Sequence, residues 1–228
     1  MSHISLKQRQ INQQTKTAFQ EFCANNGLSA HPRIIDVFSA RPVPTASTIQ
    51  ALQCDIKQLT KAENLPDIDI AASRIAQQII NRRPIGLIAD YDTDGSTGAA
   101  TLYLALKDYF NVPESLIEVY MGHRLTEGYG LSQGLAQRIL NDHPNGDLDL
   151  LITIDNGSSD AERISLLKGH GIDVIVTDHH EIPSSGIPED AYAVVSPARA
   201  DSEYGDHRIA GCAVAWLVAC RIKDYLQI

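Results

Sequence analysis

Three short clusters of polar residues carry the types and spacings that could do chemistry. Asp90-Tyr91-Asp92-Thr93-Asp94-Gly95 places three carboxylates at alternate positions. Asp155-Asn156-Gly157 adds a fourth, and Asp178-His179-His180-Glu181 sets a carboxylate beside two imidazoles. Carboxylates gathered within a few ångströms repel and cannot all ionise unless a cation neutralises them. A metal site is the natural resolution. Oxygen donors with one or two imidazoles favour Mn²⁺ or Mg²⁺ over a thiolate-selected metal, with zinc also compatible. Two other readings of the first cluster fit less well. An EF-hand loop opening at Asp90 needs a Glu at its twelfth position, where this chain has Thr101, and a helix before it, where this chain has Ile85-Gly86-Leu87-Ile88-Ala89. Gly95-Ser96-Thr97-Gly98 could cradle a phosphate at a helix start, but it lacks the lysine and spacing of a Walker A loop.

The elements that must position these clusters can be read from the flanks. Each cluster follows a short apolar run: Pro84 to Ala89, Leu148 to Ile154, and Val174 to Thr177. Between the runs lie helical patterns, Ser96 to Phe110, Leu131 to His143 and Ser158 to His170, while Ile117 to Met121 and Tyr192 to Val195 are further candidate strands. Short apolar strands alternating with helices predict an α/β fold with a predominantly parallel sheet of about five strands flanked by helices. In such sheets ligands bind beyond the carboxyl ends of the strands, which is where all three clusters fall. Ser96 is expected to cap a helix from Thr97 to Phe110, with Ala99, Leu102, Tyr103 and Leu106 facing the sheet, and Ser158 or Ser159 to cap the next. Gly95→Val is expected to damage metal binding without unfolding the sheet, through the backbone conformation of the loop. Residues 1–83 read as a helical lead-in. The spacing of Ile68, Ala71, Ala72, Ile75 and Ile79 is helical up to Arg82-Arg83-Pro84, and the segment from Arg33 to Ser47 reads as an irregular crossing.

Composition sets the outer bounds. The 228 residues are 43% hydrophobic and 21% charged, with 15 Gly and 10 Pro, which argues against disorder and fibrous repeats. No apolar window approaches the ~18 residues of a membrane span, and the N-terminus lacks the apolar core of a signal peptide. Cys23, Cys54, Cys212 and Cys220 form no CxxC pair, as expected of reduced thiols in a cytoplasmic protein. The formal charge of −9 would ordinarily count against a nucleic-acid partner. However, Asp90, Asp92, Asp94, Asp155, Asp178 and Glu181 all lie in the three clusters, where bound divalent ions would reverse the local field.

The stretches at 89–106 (ADYDTDGSTGAATLYLAL), 123–132 (HRLTEGYGLS), 150–159 (LLITIDNGSS), 174–183 (VIVTDHHEIP) and 194–216 (VVSPARADSEYGDHRIAGCAVAW) resemble the DHH phosphoesterase superfamily, named for a triplet that here is Asp178-His179-His180. Within it the chain resembles the RecJ-type exonucleases, which degrade single-stranded DNA in the 5′→3′ direction in repair and recombination. The resemblance runs from about residue 84 to the end, so residues 84–228 are expected to form the DHH domain. It implies that Asp92, Asp94, Asp155, Asp178 and His179 bind two Mn²⁺ or Mg²⁺ ions, with Asp90 close by as a metal or water partner. His180 would stabilise charge on the phosphate or assist the leaving group, and Arg124 and Gly157 would contact substrate. Two ions would clamp the scissile phosphate and acidify a water for in-line attack.

This sequence departs from the family pattern at Ile88, where some members have a histidine, and in stopping before a fourth motif and second domain. The expectation is therefore an amino-terminal portion of a catalytic core, in which a second chain or a missing C-terminal region supplies the remainder. Alone it would bind metal weakly and show little exonuclease activity. The alternatives are a DHH phosphodiesterase of short oligonucleotides or cyclic dinucleotides, and a non-catalytic scaffold. The intact acidic and histidine set favours catalytic descent.

Overall fold

The computed structural model describes residues 10–25, 27, 29, 31–40 and 59–227. The chain divides into two compact units, Met1–Leu59 and Thr60–Ile228. In the first, α1 (Gln13–Asn25) and α2 (Pro32–Ser39) bury Phe19, Cys23 and Ile35, and Phe19 stacks on Phe38 with ring centroids 5.6 Å apart. The segment expected to cross irregularly from Arg33 is thus helical as far as Ser39. Pro32 occupies the first turn, where its missing N–H leaves no bond unmade, and the His31 ring accepts from the Arg33 N–H. The remainder of that expectation, residues 41–47, and Cys54 fall outside the described residues.

The second unit holds the sheet. In chain order its elements are α3 (Ile68–Ile80), β1 (Ile85–Ala89), α4 (Thr93–Leu104), β2 (Ile117–Met121), α5 (Gln133–Asp142), β3 (Leu150–Ile154), α6 (Ala161–Gly169), β4 (Asp173–Thr177), β5 (Ala193–Val195) and α7 (Gly211–Leu226). All strand pairings are parallel, in the order β2-β1-β3-β4-β5. Every residue of β1 and β3 is buried because helices cover both faces, which is why these strands read as unbroken apolar runs. Leu87, Ile152 and Ile154 point to the layer of Ile75, Leu102, Val214 and Val218, contributed by α3, α4 and α7. Ile88, Leu151 and Val176 point the other way, toward Leu135, Ile139, Ile164 and Leu167 of α5 and α6.

The chain leaves β1 for β2 on one side and returns to β3 on the other, so the order reverses between β1 and β3. The ladder also runs one residue past the strands. Asp90 N–H donates to Ile154 O at 3.2 Å, Asp155 N–H to Thr177 O at 2.9 Å, and Asp178 N–H to Val195 O at 3.1 Å. These bonds place three aspartates along one edge, beside a switch point.

Both predicted serine caps are corrected. α4 begins four residues earlier than expected, because Asp92 is extended and its carboxylate accepts from Gly95 N–H at 3.0 Å. Past Leu104 this helix widens into a π turn over Ala105–Tyr109. α6 starts at Ala161 with no side-chain cap bond, and the backbone N–H of Ser158 is directed to Asp178 instead. Of the residues expected on the sheet-facing side of α4, Ala99, Leu102 and Leu106 are buried, whereas Tyr103 is half-buried and donates to Glu114.

Candidate metal centre

Asp155 stands at the centre of the carboxyl edge and combines three unfavourable features. Its φ is +63°, a left-handed conformation that disfavours side chains. It is 1% exposed, and its Oδ1 has no hydrogen-bond partner. Burial foremost, then the negative charge of Asp94, raises its carboxyl pKa to about 7, with His180 opposing. His179 Nε2 lies 3.0 Å from that oxygen, without the alignment of a hydrogen bond. This carboxylate oxygen and this ring nitrogen face each other as two potential ligand atoms.

Rigid neighbours enforce this geometry. Thr177 Oγ1 donates to Thr153 O and Thr153 Oγ1 to Asn156 O, each at 2.7 Å. Asn156 Nδ2 donates to Ile154 O at 2.9 Å and Ile88 O at 3.2 Å, stitching the ends of β1 and β3 across the switch point. Gly157 has φ +110° and is buried, and a Cβ there would stand 2.5 Å from Thr153 Oγ1. Gly95 carries no positive φ. A Cβ on it would meet Asp90 Cβ at 2.6 Å and Asp90 O at 2.7 Å. Its constraint is therefore close approach to Asp90, which corrects the conformational reason expected for it.

Two sets of donors converge here. Asp90, Asp92 and Asp155 can bring one ligand atom each within 4.8 Å of one another, and so can Asp155, His179 and His180. Asp155 belongs to both sets. Asp94 stands at the margin, its Oδ2 3.5 Å from His179 Nε2. Burial pushes its carboxyl up, but backbone N–H donors from Cys212 and Gly211 more than offset this, and the net shift is downward.

Asp178 belongs to neither set. It accepts from Ser158 N–H at 3.0 Å, His179 N–H at 2.7 Å, His180 N–H at 3.2 Å and His180 Nδ1 at 2.7 Å. Burial alone would raise its pKa, but these bonds hold it at about 2. In return Asp178 raises His180 to about 9, against some desolvation, so the half-exposed imidazole is cationic at neutral pH.

The 122–132 loop forms the flank beside β1 and β2. Glu127 ties it down, accepting from His123 N–H and from Arg138 Nε, both at 2.7 Å. Arg124 is exposed and its guanidinium lies 5.2 Å from the centre of the Tyr91 ring, which meets Tyr129 edge-on at 5.7 Å. Burial foremost, then the neighbouring Asp90 carboxylate, raises the Tyr129 phenol above its usual range. Reasoning from sequence passed over both tyrosines, although Tyr91 sits between two of the site aspartates and Tyr129 between two glycines of positive φ.

A parallel α/β sheet with a carboxylate cluster at its switch point places potential metal donors where such sheets bind their ligands. The chain belongs to the DHH family: the DHH family, N-terminal domain, matches residues 84–227. It is 28% identical over 204 residues to the single-stranded-DNA-specific exonuclease RecJ of Haemophilus influenzae, a match covering 90% of this chain and 33% of that protein. It is 34% identical over 161 residues to the RecJ of Thermus thermophilus, covering 69% of this chain and 22% of that one. Among solved structures it resembles exonuclease RecJ bound to manganese, with TM-score 0.61 and 28% identity over 72% of this chain and 39% of the other. The chain thus spans about a third or less of the length of these curated relatives. No helix among the described residues is long and apolar enough to cross a membrane.

Proposed function

We propose that residues 84–228 are the metal-binding DHH domain of a RecJ-like phosphodiesterase that removes nucleotides from the 5′ end of single-stranded DNA. The observation that carries this reading is the pair of donor sets sharing Asp155, whose buried, unpartnered Oδ1 suits a bridging ligand to two Mn²⁺ or Mg²⁺ ions. Asp90 and Asp92 would hold one ion and His179 the other, with Asp94 completing the second from its position near His179. When bound, such ions supply Lewis-acid polarisation of the phosphoryl oxygens and an acidified water.

The remaining roles belong to side chains. His180, kept cationic by Asp178, sets positive charge against the phosphoryl oxygens and holds the proton that the departing oxygen needs. Asp178 is assigned to orienting the loop and His180, with its metal contact secondary. Arg124 presents a guanidinium fork to a neighbouring phosphate. Tyr129, beside Asp90, offers a ring for a base to stack on. Gly157 acts on substrate through the backbone shape it permits. The likeness to a RecJ bound to manganese supports a divalent ion as the cofactor.

Calorimetric titration of the chain with Mn²⁺ tests the reading. Two ions per chain are expected, both lost in Asp155→Ala, and wild-type protein that takes up none would sink it. Substrate is tested separately, as Mn²⁺-dependent release of 5′-mononucleotides from single-stranded but not duplex DNA.

A further inference from the structure

Asp94 has two neighbours that lie outside the three acidic clusters. Its Oδ2 accepts from Gly211 N–H at 2.8 Å and its Oδ1 from Cys212 N–H at 2.7 Å, the first two residues of α7. No side chain caps α7, since its N-cap is Ala210, so the carboxylate of Asp94 does this work across more than a hundred residues of sequence. The same helix end touches the central ligand. A Cβ on Gly211 would stand 2.6 Å from Asp155 Oδ1 and 2.8 Å from its Cγ. That oxygen is the buried, unpartnered one. Close packing of α4 on α7 holds the register, because a Cβ on Gly98 would meet Cys212 Cα at 3.1 Å.

We propose that the N-terminus of α7 is a structural part of the metal centre, with Gly211 as its positioning residue. The proposal rests on the metal reading above. Each carboxylate oxygen has two lone pairs, so Asp94 can accept from α7 with one while the other faces the cation beside His179. The two N–H donors fix the rotation of the carboxylate, as supporting hydrogen bonds do for metal ligands generally. Glycine at 211 leaves the space beside Asp155 Oδ1 that an ion needs. A methyl group there would fill that space or push α7 outward and turn Asp94 with it.

The test compares Gly211→Ala with Cys220→Ser in the full chain. Cys220→Ser changes the same helix about two turns further on and adds no bulk at Asp155. Mn²⁺ affinity, read by calorimetry and by the electron paramagnetic resonance of free ion, should fall at least about tenfold in Gly211→Ala. It should stay within about twofold of wild type in Cys220→Ser, and far-ultraviolet dichroism without metal should be unchanged in both. Equal affinity of wild type and Gly211→Ala would overturn the proposal while leaving the metal reading intact. Wild type that binds no Mn²⁺ would overturn both. Should Gly211→Ala fail to fold, amide hydrogen exchange of wild type decides the matter. Gly211 and Cys212 N–H should be protected, should stay protected with Mg²⁺ bound, and should lose protection in Asp94→Ala. Loss of protection on Mg²⁺ binding would mean that Asp94 releases α7 to reach the ion, and would overturn the inference.

Discussion

Asp155 and Asp178 occupy equivalent places in the fold, one residue past adjacent parallel strands, each with its N–H on the last residue of the next strand. Both are about 1% exposed. Their chemistry is opposite. Asp178 collects three backbone N–H groups and an imidazole and titrates at about 2; Asp155 has a bare oxygen and a left-handed backbone and titrates at about 7. The difference lies in the turns that follow. After Asp178 the chain curls back so that the amides of His179 and His180 point at the carboxylate. After Asp155, Asn156 and Gly157 are anchored to Thr153 and β1, and the approach of Gly211 from α7 supplies no donor to that oxygen. One aspartate is satisfied by protein and builds structure. The other keeps a buried carboxylate oxygen without a hydrogen-bond partner.

The largest expected effect breaks this contrast at Asp155. Asp155→Ala should weaken Mn²⁺ binding by on the order of a hundredfold or more, since it removes a ligand common to both donor sets. Asp155→Asn should do the same to binding while raising metal-free stability at pH 8, because an amide carries no buried charge and asparagine tolerates positive φ. Urea unfolding in chelator checks this, and a destabilised Asp155→Asn would refute the idea that the native carboxylate is strained. Asp178→Ala should show the reverse emphasis. Metal-free stability should drop by about 3 kcal/mol, the scale expected when a buried hydrogen-bonded charge partner is removed. Metal affinity should then suffer only as far as the His179 loop moves.

The pH dependence sharpens the comparison further. A carboxylate raised from an unfolded value of about 4 to about 7 contributes stability below the first value and loses it as pH rises through the second. Metal-free protein should therefore lose stability between about pH 4 and 7. His180, raised to about 9, adds a loss in the same direction between its unfolded value of about 6.5 and pH 9. Asp178 works at the other extreme: depressed to about 2, it contributes above pH 4 and is lost as pH falls through 2. Thermal unfolding across pH in chelator should show the first slope in wild type and lose it in Asp155→Asn. Saturating Mn²⁺ should also abolish it, since the ion takes the place of the proton, and affinity should climb by up to about tenfold per pH unit below 7. A metal-free profile flat from pH 4 to 7 would refute the assignment.

How much of this was legible in the sequence follows from which interactions are local. The strand ends, the parallel character of the sheet and the acidic edge could be read because apolar runs closing on Asp90, Asp155 and Asp178 are contiguous patterns, whereas the strand order could not. The helix starts were misplaced because two kinds of cap compete. Asp92 caps α4 from within a motif that reads as pure metal chemistry, and Ser158, which looks like a cap, gives its N–H to Asp178. The distinction between Asp155 and Asp178 was not legible, since both are simply aspartates after a β-branched run. It is created by backbone direction over the next two residues. The link from Asp94 to Gly211 was hidden for the same reason, because tertiary packing brings those residues together and no spacing announces it.

The smallest expected effect tests whether the support of Asp178 really lies in the backbone. The Ser158 hydroxyl is buried near the Asp178 carboxylate, yet it makes no aligned hydrogen bond, while the Ser158 N–H makes one at 3.0 Å. Ser158→Ala deletes only the hydroxyl. If the amides carry the load, stability should change by no more than about 0.5 kcal/mol, because removing an unpaired buried hydroxyl relieves about as much desolvation as it forfeits in contact. The His180 titration, followed by proton NMR of the ring, should stay near 9, since its partner Asp178 would remain ionised and bonded to the same three backbone donors. A loss above about 1.5 kcal/mol, or a His180 that titrates near its ordinary value, would show that the hydroxyl holds Asp178 in place. The contrast with Asp155 would then rest on side chains as well as on the turn.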